Sequence, residues 1–340
     1  MIKEPVPTKR FVLEPSLMCN ILCYFCYHKH RKDEWHKTVK PLETMKQEID
    51  AGIERGNDYA DWTGGEPTIY PHIIEGIGYA LEKGVRSCII TNGLVTEERA
   101  AQIMDAGLDD WLVSRHGLET THDLVTNHPG AYKKQIRFLD QVRQRMDFRF
   151  NCVISKLNQH EILKIAREMA ESQPRIVNFI NMNPHTEWRS RVEETKSVIA
   201  DMDVVGPLLD EAIFYLEERS IGVNIRYFPM CRVAEEYRRC VCNDLQVMLD
   251  PYEWDYATSP KTVDRYYKWG VATSIANEEK GEPCCGCDLQ WICGGANKFF
   301  HAANTALYGE QLKPVVDPQA KAEGYYHYRK HNILTLGGTK

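Results

Sequence analysis

Cys19-Asn-Ile-Leu-Cys23-Tyr-Phe-Cys26 sets three thiols on one short stretch, with three and then two residues between them, just after the apolar run Arg10-Phe-Val-Leu-Glu-Pro. Three cysteines so close face one point only if the loop wraps a common centre. Three thiolates satisfy three irons of a cubane cluster and leave the fourth without a protein ligand, an open iron at which chemistry can occur. The plainer reading is a structural zinc ion. Such a site wants four protein ligands, usually from two Cys-x-x-Cys or His-containing halves. No fourth ligand stands at zinc-finger spacing nearby, although His28, His30 and His36 follow and spacing alone leaves them open.

Outward from this stretch, the 340 residues suffice for one barrel-sized domain and a smaller extension. Hydrophobic residues make up 43%, as in an ordinary globular protein. A formal charge of -6 and a pI near 6.1 give no basic footprint for nucleic acid, and no Lys or Arg block suggests an acidic membrane surface. The N-terminal residues lack the apolar segment of a signal peptide, and no run approaches the roughly 18 apolar residues that span a bilayer. A cytoplasmic protein is expected. Twelve cysteines in such a compartment argue for metal rather than disulfides. Ten fall into two groups, 19–26 and 231–293, while Cys88 and Cys152 stand alone in apolar strands and read as core.

Beyond the cysteine loop the pattern alternates. Helical spacing over 41–55, 73–83, 96–106, 131–145 and 158–171 separates strands over 58–63, 85–91, 110–114, 148–154 and 175–181, and a helix over 198–219 ends the series. Repeated strand–helix units imply a parallel sheet covered by helices, and about six units suggest an open or partial barrel. Such folds place their sites at the C-terminal ends of the strands. The cysteine loop, Gly64-Gly65-Glu66-Pro67, Thr91-Asn92-Gly93 and Ser114-Arg115-His116-Gly117 all fall there.

Cys-x3-Cys-x-aromatic-Cys, with Phe25 in the aromatic position, resembles the signature of the radical S-adenosylmethionine (radical SAM) superfamily. Trp62-Thr-Gly64-Gly65-Glu66-Pro67 and Thr91-Asn92-Gly93 stand in the family's order at the next two strand ends. The resemblance implies an α/β fold, a partial (β/α)6 TIM-like barrel, with a [4Fe-4S] cluster on Cys19, Cys23 and Cys26 whose open iron is chelated by S-adenosylmethionine. It implies reductive cleavage of that cofactor to a 5'-deoxyadenosyl radical, hydrogen abstraction from a substrate, and an electron donor such as flavodoxin or ferredoxin. Phe25, Gly64, Gly65, Glu66, Asn92, Ser114 and Asn151 are the cofactor-binding positions it points to. Among these, Glu66 is expected to receive the methionyl ammonium, and Ser114 and Asn151 the ribose and carboxylate. His116 is the candidate catalytic acid or base, with His122 and His128 behind it; Arg115 and Arg149 are candidate carboxylate clamps.

Past residue 222 the alternation stops. Cys284-x2-Cys287-x5-Cys293 resembles the core of the SPASM or twitch extension, which binds auxiliary iron–sulfur clusters, except that Asn297 stands where that pattern expects a further cysteine. One auxiliary [4Fe-4S] cluster is expected on Cys231, Cys284, Cys287 and Cys293, with Cys242 as first substitute; a structural zinc on the same thiols is the alternative. The expected organisation is a barrel over 1–222, a cysteine-rich SPASM/twitch-like domain over 223–312 and a tail over 313–340.

The cysteine loop begins at residue 19, which leaves no room ahead of it for a leader-peptide-binding or cobalamin-binding domain. The expected substrate is therefore a small polar biosynthetic metabolite, such as a sugar, nucleoside or amino-acid derivative. A peptide-modifying maturase is the alternative within the family. A non-catalytic iron–sulfur or zinc scaffold is the alternative outside it, and leaves Gly64-Gly65-Glu66-Pro67 unexplained.

Overall fold

The computed structural model describes residues 10–26, 28, 38–184, 186–243, 278–290 and 292–316. Strands β1 (Arg10–Leu13), β2 (Tyr59–Trp62), β3 (Arg86–Thr91), β4 (Asp110–Ser114), β5 (Phe148–Ile154), β6 (Ile176–Asn181) and β7 (Gly222–Arg226) form one sheet in sequence order. Every neighbouring pair is parallel. Parallel neighbours need long crossovers, and helices supply them: α1 (Leu42–Glu54), α2 (Ile73–Glu82), α3 (Glu97–Asp105), α4 (Glu119–Thr126), α5 (Ala131–Val142), α6 (Ile162–Glu171), α7 (Val192–Val198) and α8 (Met202–Glu217). The sheet curls into a half-barrel.

Side chains alternate across a strand. On β5, Phe148, Phe150, Cys152 and Ile154 join the large core beneath the helices, so Arg149, Asn151 and Val153 line the concave face. At the N-terminal ends of the strands that face is closed by paired charges around a small apolar patch of Tyr59, Cys88 and Leu112. Arg10 pairs with buried Asp61 at 2.7 Å; Arg149 and Arg175 reach buried Asp110 at 2.5 and 3.0 Å. Burial pulls the Arg149 guanidinium down, and adjacent Asp110 more than offsets it, so Arg149 stays charged. With this floor sealed, the C-terminal ends are left for a ligand.

The partial barrel expected from the alternation is present, with one strand more than the six units. β7 escaped notice because its only apolar members facing the helices are Val223 and Ile225, between inward Gly222, Asn224 and Arg226. The expected boundary at residue 222 therefore falls on the first residue of this strand.

In the cysteine-rich unit, β8 (Glu278–Glu279) pairs antiparallel with β9 (Ala296–Asn297), and α9 (Lys298–Tyr308) follows. Asn297 is the N-cap of α9: its Oδ1 accepts from the N–H groups of Phe299 and Phe300 at 3.0 and 3.2 Å. Where a further thiol was expected, the chain has a helix start. Residues 313–316, placed in the tail by the sequence, pack on this unit, with Asp288 N–H donating to Val315 O at 2.8 Å. The rest of that tail, together with His30 and His36, lies outside the described residues. No helix among the described residues is long and apolar enough to cross a membrane.

Candidate active site

The cysteine loop is held from several sides by the ends of other elements. Leu22 and Tyr24 donate their N–H groups to Thr126 O and Val125 O at the end of α4, and Trp188 Nε1 donates to Cys26 O at 3.0 Å. Phe25 packs edge-on against His116, ring centroids 4.8 Å apart. Cys19 lies at the surface and Cys23 deeper. Burial raises the Cys23 thiol, and neighbouring Cys26 and Cys19 raise it further, so the three sulfurs share one environment. Any metal or cluster held there would have to displace their protons.

The glycine pair meets this loop directly. Gly65 N–H donates to Ser16 O at 2.9 Å and Glu66 N–H to Met18 O at 2.7 Å. A Cβ on Gly64, whose φ is +113°, would lie 2.4 Å from Ser16 O, and one on Gly65 would lie 1.9 Å from Met18 O. Only glycine permits that approach. At these positions the glycines admit the backbone that leads into the cysteine loop.

Glu66 is buried, and its carboxylate is turned to the chain's own donors. Oε1 accepts from Thr68 N–H (3.1 Å), Thr68 Oγ1 (2.7 Å) and Thr91 Oγ1 (2.8 Å), and Oε2 accepts from Asn92 N–H (2.8 Å). Burial raises its pKa, and these four donors offset only part of the rise. These contacts tie the loop after β2 to the loop after β3. Asn92 continues the tie: its Nδ2 donates to Asn20 Oδ1 at 2.7 Å and lies 3.9 Å from Cys19 Sγ, while its Oδ1 accepts from Leu94 N–H.

Behind these loops sits Gln135 of α5, which the sequence reading missed. Fully buried, it donates through Nε2 to Asn92 O at 2.7 Å and Ser114 O at 2.8 Å, and accepts from Arg115 Nε. Arg115 also reaches Glu168 at 2.5 Å and lies over the Tyr132 ring, on the helix side of the sheet. Neither Arg115 nor Arg149, at the barrel floor, is placed as a carboxylate clamp. His116 is buried: Nδ1 accepts from Val153 N–H at 3.1 Å, and its own N–H donates to His122 Nδ1. Burial, with Arg115 adding, lowers its pKa to about 3, so it is neutral at physiological pH. His128 is on the surface beside Lys134.

Ser114, at the end of β4, and Asn151, within β5, are register partners on the concave face. The row continues through Asn178 and Asn224, two residues the sequence reading passed over.

A second group forms in the C-terminal unit. Cys231, Cys284, Cys287 and Cys293, with Lys280 and Lys313, line one small, partly open pocket. Burial raises Cys231 to about 11, with Cys293 and Cys284 adding to it. Lys313 and Val315 donate backbone N–H groups to the sulfurs of Cys231 and Cys287 at 3.5 and 3.4 Å. Cys242, the expected substitute, does not line this space; its N–H pairs with Ile225 O beside β7. Among the described residues no three Cys, His, Asp or Glu side chains are close enough to share one metal ion.

Residues 13–169 match the family model described as the Radical SAM superfamily. The AdoMet-dependent heme synthase of Nitratidesulfovibrio vulgaris is 28% identical over 172 residues, 48% of this chain and 46% of that protein. The Fe-coproporphyrin III synthase of Methanosarcina barkeri is 32% identical over 179 residues, 51% of this chain and 43% of that protein. The chain thus spans under half the length of these curated relatives. Native anSMEcpe, solved with bound AdoMet and the Cp18Cys peptide, superposes with a TM-score of 0.58 at 13% identity over 97% of this chain and 96% of that one, a likeness of fold.

Proposed function

We propose that the radical SAM domain formed by residues 13–169 serves, in this chain, an enzyme that abstracts hydrogen from a small polar metabolite such as a sugar, nucleoside or amino-acid derivative. The observation that carries the reading is the convergence of the three-thiol loop with Gly64–Glu66 and Thr91–Gly93 at the C-terminal ends of neighbouring parallel strands. In this reading Cys19, Cys23 and Cys26 hold a [4Fe-4S] cluster with one iron left for S-adenosylmethionine. Bound together, cluster and cofactor supply the radical that removes hydrogen from an unactivated carbon, using an electron from a donor such as flavodoxin or ferredoxin.

The chain's own part is placement. Gly64 and Gly65 let the second loop lie against residues 16–18, and Glu66, through Thr68, Thr91 and Asn92, fixes the third loop to it. Ser114 and Asn151 offer hydroxyl and amide groups to the cofactor from the concave face. His116, neutral and buried, backs Phe25 and acts as a positioning residue rather than an acid or base.

Cys231, Cys284, Cys287 and Cys293 would hold one auxiliary [4Fe-4S] cluster in a SPASM/twitch-like unit over residues 223–312. Four thiols for four irons leave none open, which favours electron transfer over substrate binding there. The names of the heme and Fe-coproporphyrin III synthases support a small-molecule substrate, as does the polar concave face.

Deuterium transfer tests the substrate class. Reduced, cluster-loaded protein is given S-adenosylmethionine and an extract of cells grown in heavy water, and 5'-deoxyadenosine is analysed by mass spectrometry. Label arriving from the low-molecular-weight, protease-resistant fraction is expected. Label arriving only from a fraction that protease destroys would replace this reading with a peptide maturase.

A further inference from the structure

The concave face carries a row of side-chain amides of which the cofactor reading uses only one end. Asn151, Asn178 and Asn224 are register partners on β5, β6 and β7, so they stand in one layer about 4.8 Å apart per strand. Asn178 Nδ2 donates to Asn151 Oδ1 at 2.8 Å, and Asn224 Nδ2 donates to Asn178 Oδ1 at 3.1 Å. Both links run in the same sense, so the row has a direction. Asn151 is left with its nitrogen, a donor, at one end; Asn224 is left with its oxygen, an acceptor, at the other. An amide can turn over and exchange these roles, and only its partners decide which way it faces. Ser114, next to Asn151 in the same layer, carries a hydroxyl that donates or accepts, so it imposes no direction.

We propose that Asn178 and Asn224 are positioning residues that hold Asn151 with its amide nitrogen toward the cofactor site, where it donates to an oxygen of S-adenosylmethionine, carboxylate or ribose hydroxyl. The proposal rests on the reading that Asn151 contacts that cofactor, and adds what sets the contact's polarity from two strands away. An aspartate at 224 has only acceptors to offer. Asn178 must then turn to donate into it, Asn151 must turn to donate into Asn178, and Asn151 presents an oxygen where a nitrogen is needed. An alanine at 224 removes the last link without imposing the reversal.

The order of these two substitutions is therefore diagnostic. Affinity for S-adenosylmethionine is measured by calorimetry on oxidised, cluster-loaded protein, which does not cleave it, with iron content and melting temperature recorded beside it. Loss of one hydrogen bond corresponds to roughly tenfold in Kd. Asn151→Ala and Asn224→Asp are each expected to weaken binding about tenfold, and Asn224→Ala by no more than about threefold. In an Asn178→Leu background, where the relay is cut, adding Asn224→Asp is expected to change nothing further; a charge acting through space would keep its effect there. If Asn224→Asp fails to take up iron, Asn178→Asp forces the same reversal one strand nearer and takes its place. Asn224→Ala matching or exceeding Asn224→Asp overturns the relay, as does an aspartate effect that survives Asn178→Leu. Wild-type affinity in Asn224→Asp with weakened Asn151→Ala rejects the relay and keeps the cofactor contact; wild-type affinity in Asn151→Ala rejects the contact itself.

Discussion

Glu66→Gln changes one buried oxygen into an amide nitrogen and removes the charge at nearly constant size. With an oxygen kept at the Oε1 position, facing Thr68 N–H, Thr68 Oγ1 and Thr91 Oγ1, the new NH2 group meets the Asn92 N–H, donor against donor. Reversed, it meets three donors instead. The threonine hydroxyls can turn away, but the backbone N–H of Asn92 cannot. The variant therefore loses a charge-assisted hydrogen bond and leaves a buried donor unmatched, a cost of about 2 to 3 kcal/mol. Easier burial of a neutral group offsets part of this and leaves about 2 kcal/mol. Opening of the loop after β3 should become easier by that amount, and hydrogen exchange at the Asn92 amide roughly thirtyfold faster. Exchange measured by mass spectrometry on fragments spanning residues 91–94 reads this directly, with S-adenosylmethionine affinity measured on the same sample. Unchanged exchange together with tenfold or greater loss of affinity would refute the reasoning: the carboxylate would then serve the cofactor's ammonium and not this chain's own donors.

Three further outcomes are expected. Cys287→Ser should remove about four of about eight irons while Cys242→Ala removes none, because only the first lines the C-terminal space; iron analysis of both variants checks it. Asp110→Asn leaves buried Arg149 without its nearest counter-charge and should cost about 3 to 5 kcal/mol, read as a lower urea midpoint. His116, lowered to about 3 in the fold from an unfolded value near 6.5, lets the unfolded chain bind the extra proton between those two values. Its contribution is complete above about pH 6.5 and is lost as pH falls toward about 3, roughly 2 kcal/mol being gone at pH 5. His116→Asn, which keeps an acceptor for Val153 N–H, should flatten this slope in melting curves taken from pH 7 to pH 5.

The barrel and the motif loops were legible because they rest on local patterns: alternating elements, and cysteines and glycines at strand ends. What escaped were partnerships across the chain. The three thiols mark a metal-binding loop in the sequence, while the donors Thr91 and Asn92 that surround Glu66 are seen only in the fold. Gly64 and Gly65 read as room for a cofactor, while the backbone they admit is that of Ser16 and Met18. Asn178 and Asn224 carry no local motif. Their only sequence signal is an amide at the inward position of three successive strands, which requires β7 to have been recognised. Arg115 and Arg149 suggest clamps from their place near strands, and only the fold reveals Glu168 and Asp110 as their partners. Asn297 likewise looks like a lost ligand until α9 is seen to begin there.

The most direct test of the central reading is product analysis after dithionite reduction of anaerobically reconstituted protein in the presence of S-adenosylmethionine. Wild-type protein, with about eight irons, should yield 5'-deoxyadenosine and methionine; the Cys19→Ala, Cys23→Ala, Cys26→Ala triple variant, with about four irons left on the C-terminal thiols, should yield neither. Cleavage retained in full by the triple variant would contradict the placement of the reactive cluster on this loop.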